Sequence, residues 1–200
     1  MVTVEVDAGG VERRLGEGRL VCPGCGARLA RWGHARSRTV RGREGPITVR
    51  PRRARCSGCG ATHVLLPVLC LLRRADVVEV IGAALAARAA GAGHRSIAQE
   101  LGRAPETVRG WLRRFGSRAE VVRAFFTAVL VRVEVDPVVP GPAGSGWADA
   151  VTAIAGAWSA ASSRFRGAGV GPLPLWRSVC AVTSGLLLSP SWPPVAINTN

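Results

Sequence analysis

Cys22-Pro23-Gly24-Cys25-Gly26 and Cys56-Ser57-Gly58-Cys59-Gly60 share the spacing C-x-x-C-G, and both runs lie in the first third of the chain. Two such pairs have the spacing of a tetrahedral four-cysteine site around one Zn²⁺. The closing glycines permit the positive φ that a sharp turn needs if two thiolates are to point at one ion. Because four thiolates leave no open position for water, the pattern predicts a structural metal rather than a catalytic one.

The predicted metal ligands are the four cysteines of these runs, Cys22, Cys25, Cys56 and Cys59. His63, which follows the second pair, and His34 are the alternative ligands, but four cysteines already complete the coordination of the ion. The remaining cysteines, Cys70 and Cys180, are expected to be small buried apolar residues. Trp32 is expected to pack over the small core of this region, with a base-stacking role as the alternative.

The charge of the chain is strongly positive and unevenly placed. The 200 residues carry a formal net charge of +14, and every basic side chain other than histidine is arginine. Residues 1–75 contain fifteen arginines and five acidic residues, so the positive charge is concentrated around the cysteine pairs. This concentration predicts a polyanionic partner.

An arginine-rich β-hairpin is predicted between the two cysteine pairs. Its strands are expected at 36–41 and 47–55, around a turn at 42–45, with Pro51 placing the second strand at a sheet edge. The arginines of this hairpin are predicted to bind the phosphates of DNA: Arg36, Arg38, Arg41, Arg50, Arg52, Arg53 and Arg55. Residues 1–20 are predicted to be a polar N-terminal segment with a short strand at its start.

Residues 76–133 change character and are predicted to be helical. Asp76 and Glu79 resemble a capping box, and so do Ser117 and Glu120. Apolar residues after each pair follow helical spacing. Shorter helices are expected at about 95–101 and 105–115, the second of them starting at a proline, which suits the first helical position.

The run from Ser96 to Leu112 has the form of a helix-turn-helix. Ala98 is small where two helices approach, and Gly102 permits a sharp turn. The second helix can then enter the major groove, where its first residues reach base edges and arginine pairs with guanine. The predicted DNA-binding residues of this helix are Pro105, Glu106, Thr107, Arg109, Arg113 and Arg114.

The rest of the chain is less basic and more apolar. Residues 134–146 are rich in proline and glycine and are predicted to be a linker. Residues 147–200 are predicted to form a helical C-terminal region, with a second helix at 173–188 and an irregular, proline-rich tail. The domains expected from these boundaries are an N-terminal segment at 1–20, a zinc ribbon at 21–70, a helix-turn-helix domain at 76–133, a linker, and this C-terminal region.

The first 115 or so residues resemble the N-terminal part of bacterial insertion-sequence transposases of the DDE type. The matching pieces are Cys22 to Cys25, the hairpin turn at 42–45, the run Arg53-Ala-Arg55-Cys56-Ser-Gly-Cys59-Gly60, and the helix-turn-helix from Ser96 to Leu112. The chain also resembles small helix-turn-helix proteins of unassigned function in GC-rich bacteria. The resemblance implies a zinc-binding ribbon followed by a DNA-binding helix-turn-helix.

The catalytic activity of those transposases is not expected here. A DDE nuclease holds two metal ions with three separated carboxylates on a sheet. The acidic residues after the helix-turn-helix are few: Glu120, Glu134, Asp136 and Asp149. The sequence therefore predicts a non-enzymatic protein.

Together these features predict an α+β protein with three parts. A small four-cysteine zinc ribbon with a β-hairpin precedes a helical helix-turn-helix domain and a short helical C-terminal region. The predicted function is zinc-stabilised binding of double-stranded DNA, as a transposon-derived accessory or a transcriptional regulator, in the cytoplasm with the nucleoid. No membrane span is expected. The alternative is a zinc-ribbon adaptor for proteins, in which helices bearing Trp147, Trp158 and Trp176 form a homodimer or bind a partner protein.

Overall fold

A computed structural model describes residues 1–165 and 173–192. Within these residues the chain has mixed α+β structure, with seven helices and two small sheets, which confirms the predicted class. The strands are β1 (Val2–Val4), β2 (Leu29–His34), β3 (Arg38–Arg41), β4 (Pro46–Val49), β5 (Arg52–Cys56) and β6 (Thr62–Pro67). The helices are α1 (Ala8–Gly16), α2 (Val78–Ala89), α3 (His94–Leu101), α4 (Pro105–Gly116), α5 (Ala119–Val133), α6 (Gly146–Arg164) and α7 (Leu175–Val182).

The larger sheet has four strands in the order β1-β6-β5-β2. Strand β1 is parallel to β6, and the other pairs are antiparallel. Helix α1 begins at Asp7, whose carboxylate accepts hydrogen bonds from the backbone N–H groups of Gly9 and Gly10. Its residues Val11 and Leu15 are four apart, so both face the sheet, where they belong to a small core.

The arginine-rich region between the cysteine pairs differs from the prediction. Strands β3 and β4 form a hairpin around residues 42–45, as expected. The second predicted strand, 47–55, is wrong as one element, because it divides at Arg50-Pro51. Proline has no N–H to continue a ladder, and after it β5 pairs with β2 and β6 in the larger sheet.

The helical part surrounds a second, larger core. Helices α5 and α6 pack along each other, and α2, α3, α4 and α7 complete the assembly through residues such as Ile81, Ile97 and Phe115. The β3–β4 hairpin contributes Val40 and Val49 to this core rather than to the core under α1. The hairpin therefore packs with the helices although it lies between the cysteine pairs in sequence.

Both predicted capping boxes are wrong, although the helices after them exist. The N-cap residues are Val77 and Arg118, and neither makes a side-chain capping hydrogen bond. The carboxylate of Asp76 is bound by two arginines instead, and Glu120 forms an ion pair with Arg123. In each case a guanidinium offers the carboxylate a charged partner in place of backbone N–H groups.

The C-terminal region is less helical than predicted. A helix is predicted over 173–188, but α7 ends at Val182. The chain then turns back, because the backbone N–H of Gly185 donates to the carbonyl of Cys180, while Leu72 N–H donates to the carbonyl of Gly185. The predicted irregular tail lies outside the described residues from position 193 onward.

Candidate metal centre and candidate nucleic-acid surface

The four predicted ligands meet at one point. The Sγ atoms of Cys22, Cys25, Cys56 and Cys59 all lie within 4.8 Å of one another. The Sγ atoms of Cys22 and Cys59 are 3.8 Å apart, and those of Cys25 and Cys56 are 3.3 Å apart. A tetrahedron with metal–sulfur bonds of about 2.3 Å has an edge of about 3.8 Å. The four sulfurs are therefore close enough to hold one metal ion.

The two cysteine pairs have the same local backbone structure. The N–H groups of Cys22 and Cys56 each donate to the carbonyl five residues later, at 2.8 Å in both cases. Each following glycine, Gly26 or Gly60, donates its N–H back to the carbonyl of the first cysteine and has φ of 73°. The positive φ expected at these glycines is confirmed, and the repeated turn brings the two thiols of each pair toward a common point.

Backbone N–H groups point at the sulfur of Cys56. Those of Gly58 and Cys59 lie 3.3 and 3.4 Å from its Sγ. The hydrogen bond from Cys59 N–H is the main cause that lowers the pKa of the Cys56 thiol to about 6. Since metals bind thiolate rather than thiol, this turn prepares Cys56 as a ligand.

His63 lies beside the cysteine cluster but outside it. Its Nε2 is 3.4 Å from the Sγ of Cys22, while its Nδ1 is 3.3 Å from the amino group of Met1. Burial, followed by the nearby amino group, lowers the pKa of His63. A neutral imidazole that donates to a ligand sulfur is a common outer-shell partner of a metal site. The position agrees with the prediction that the four cysteines suffice.

The structure divides the seven predicted DNA-binding arginines of the hairpin region. Arg36, Arg50 and Arg55 are exposed, and Arg53 is half-buried. The remaining three are held within the chain or partly covered by it. Arg41 binds Asp76 through two hydrogen bonds, Arg52 forms an ion pair with Glu12 at 2.6 Å and has only 16% of its side chain exposed, and Arg38 is half-buried.

Helices α3 and α4 are present where the sequence predicts them. They are joined by a turn at Gly102, where φ is 60°. Helix α4 buries Val108, Trp111, Leu112 and Phe115 against the larger core. Its opposite side presents the predicted residues to solvent: Pro105, Glu106, Arg109 and Arg113 are exposed, while Thr107 and Arg114 are half-buried.

One buried carboxylate, which sequence reasoning assigned to a helix cap, connects the hairpin to the α3–α4 pair. Asp76 is 1% exposed and lies 2.6 Å from both Arg41 of β3 and Arg103 of the α3–α4 turn. Arg103 also donates to the carbonyl of Gly42 at 2.6 Å. These contacts fix the basic hairpin relative to the turn before α4.

The tryptophans of the C-terminal region contact residues of the same chain. The ring of Trp147 lies 4.8 Å from that of Phe115. Trp176 packs over Gly82, where an added Cβ would come within 2.1 Å of the ring, and Trp158 donates to the carbonyl of Leu173. A partner surface built on these three rings, as the adaptor hypothesis requires, would have to compete with these internal contacts.

Comparisons with protein-family models, with curated proteins and with solved structures give no match for this chain. None of the helices within 1–165 and 173–192 combines the length and the apolar character that a membrane crossing requires.

Proposed function

We propose that this protein is a non-catalytic, zinc-stabilised binder of double-stranded DNA. In this proposal the four cysteines hold one structural Zn²⁺ in a zinc ribbon, and α3 and α4 act as a helix-turn-helix. A role as a transposon-derived accessory or as a transcriptional regulator, in the cytoplasm with the nucleoid, fits this activity.

The choice of zinc rests on the chemistry of the donor set. Four cysteine sulfurs at near-tetrahedral spacing are typical ligands of structural zinc, and hard cations prefer oxygen. Two of the four cysteines, Cys22 and Cys56, are themselves part of the small core under α1. A metal that joins them would therefore also fix the packing of that core.

The observation that carries the DNA proposal is the pattern of exposure on α4. Its apolar side is buried, whereas Arg109 and Arg113 extend from the exposed side, one helical turn apart. An arginine there can reach a guanine edge or a phosphate. Glu106 lies 3.6 Å from Arg109 and can restrain it, and it would also disfavour non-specific phosphate contacts.

The exposed arginines of the cysteine-rich region supply further phosphate contacts. We assign this role to Arg36, Arg50, Arg53 and Arg55. Arg41 and Arg52 are left out because acidic residues of the chain already bind them, and Arg38 is left out because its guanidinium is largely covered. The Asp76 contacts fix the β3–β4 hairpin, which Arg36 and Arg50 flank, relative to the turn before α4, and this lowers the entropy that is lost on binding.

The salt dependence of binding to a duplex of 30 base pairs tests this proposal, measured by fluorescence anisotropy on the zinc-loaded protein. If about six to eight phosphates are contacted, the slope of log K against log salt is roughly −5 to −7. Replacing Arg113 with alanine should make the slope less steep by about one unit.

Arg132→Ala is the matched control, because Arg132 is an exposed arginine on α5, outside the proposed surface. The control should leave the slope unchanged. Equal changes for the two variants would show that only the total charge matters and would contradict the assignment to α4.

A further inference from the structure

The two faces of the four-stranded sheet have different environments. Side chains of Ala54, Cys56 and Leu65 lie on the inner face, in the core under α1. Because side chains alternate along a strand, Arg53, Arg55 and Val64 lie on the outer face. Near β1, Thr3 contacts α7 and covers part of this face. The end formed by β2 and β5 is open to solvent.

Trp32 stands at this open end. All six tryptophans lie in described residues, and Trp32 is the one with an exposed side chain, at 51%. The pairing of β2 with β5 shifts register between Arg31 and Gly33, so Trp32 occupies a bulge. Arg31 pairs with Ala54 on the inner face and binds Glu12 of α1, so by the alternation of side chains Trp32 points to the opposite side. The expectation that Trp32 packs over a small core is therefore wrong.

The charge near Trp32 is positive. The guanidinium of Arg55 lies 4.9 Å from the centre of the Trp32 ring. The residues that β2, β5 and β6 place on this open face are small, apolar or basic, and none is acidic: Ala30, Trp32, Arg53, Arg55, Thr62 and Val64. The acidic Glu12 lies on the opposite side of the sheet, where it pairs with Arg31 and Arg52.

A depression of about 510 Å³ lies between Trp32 and the second cysteine pair. It is lined by Trp32, Arg55, Ser57, Gly58 and Gly60, and the Nε of Arg55 donates to the carbonyl of Gly60 at 3.3 Å. At Gly60 the backbone is open, because a Cβ added there would meet only the end of Arg55, at 3.8 Å. The depression thus combines an aromatic surface, a positive charge and open space.

We propose that this face binds single-stranded nucleic acid, with an unpaired base stacked on Trp32 and the adjacent phosphates contacted by Arg53 and Arg55. Aromatic stacking beside a basic track is the way in which proteins hold unpaired strands with little sequence preference. This activity goes beyond duplex binding by α4, because a base in a duplex is already stacked and cannot cover Trp32. Unpaired DNA and RNA share the chemistry of this site.

Anisotropy of labelled ten-nucleotide strands of deoxyuridine and of uridine, added to the zinc-loaded protein, tests this inference. Trp32→Ala should weaken binding by about tenfold on the strand that is bound, a loss typical of one stacked base. The single-strand affinity of Trp32→Phe should lie between those of the wild type and Trp32→Ala. Because neither variant changes charge, the salt slope should stay the same. Whichever strand binds more tightly identifies the sugar that is preferred.

Ile47→Ala is the control, since Ile47 is another exposed apolar side chain, on β4 of the other sheet. It should leave single-strand binding unchanged, and Trp32→Ala should keep duplex binding within about twofold of the wild type. If the wild type and every variant bind the single strand but not the duplex, only the α4 proposal is contradicted. Single-strand affinity that is absent in the wild type, unchanged by Trp32→Ala, or lost together with duplex affinity would overturn this inference.

Discussion

The two cores of this protein differ in how they can be stabilised. The core under α1 contains nine buried residues, two of which are the cysteines Cys22 and Cys56, whereas the core of the helical part contains thirty-two within the described residues. Apolar burial stabilises a fold in proportion to the area removed from water. With the proposed zinc joining its cysteines, the smaller core should depend on the metal more than the larger core does.

The hairpin β3–β4 shows that this division does not follow the order of the chain. It lies between the two cysteine pairs in sequence, yet its buried residues Val40 and Val49 belong to the helical core. Asp76, through Arg41 and Arg103, fastens it there. Loss of the metal should therefore affect the elements that pack in the core under α1, and not every element that lies between the cysteine pairs in sequence.

Metal removal should produce the largest difference between the two regions. Structural zinc in small domains contributes about 10–16 kcal/mol of apparent binding free energy. A chelator, or Cys56→Ser, should therefore remove amide-exchange protection from β2, β5 and β6. The hairpin β3–β4 and helices α5 and α6 should keep theirs, as measured by hydrogen exchange. Uniform loss of protection throughout the chain would show that the two cores are one cooperative unit.

Asp76→Asn should have the next largest effect, because it leaves two arginines without the buried carboxylate that they share. Removing one partner of a buried ion pair costs about 3–5 kcal/mol, and the lower end applies here because Arg41 is half-exposed. Urea unfolding measures the loss. Glu120→Gln is the control, since it breaks an exposed pair with Arg123 and should cost less than about 1 kcal/mol. Similar losses for the two variants would remove the special role assigned to Asp76.

A pair of glycine substitutions tests the packing of the helical core at smaller scale. In α2, Gly82→Ala would place a methyl group within 2.1 Å of the Trp176 ring, and the resulting overpacking should cost about 1–3 kcal/mol. In α4, Gly110→Ala meets only the flexible end of Arg114 and should stabilise by about 0.5–1 kcal/mol through helix propensity. In thermal unfolding, the midpoint temperature should fall for Gly82→Ala and rise for Gly110→Ala. Stabilisation by Gly82→Ala would mean that Trp176 does not pack as described.

The sequence predicted those features that depend on local chemistry. The four-cysteine cluster and the helices after Gly93 and Ala104 follow from spacing, periodicity and the proline at the start of α4. Helix α1 was missed, although Asp7 as N-cap followed by Val11 and Leu15 was an available signal.

Features that depend on distant residues were not predictable in this way. Asp76 has the sequence context of a helix cap, and only the fold brings Arg41 and Arg103 to it. The pairing of β5 with β2 and β6, which leaves one side of β2 and Trp32 open to solvent, also joins distant parts of the chain. Local propensity cannot decide these outcomes, because tertiary contacts override it.

Selection from a pool of random duplexes at moderate salt, with sequencing of the retained fraction, tests the central claim most directly. Zinc-loaded wild-type protein should enrich one motif, and Arg109→Ala should relax it at one position, while Arg132→Ala should keep it intact. Cys56→Ser should weaken retention of the whole pool, because the arginines proposed to contact phosphates would lose their support. A folded, zinc-loaded protein that enriches no motif would contradict the assignment of α4 as the element that recognises DNA sequence.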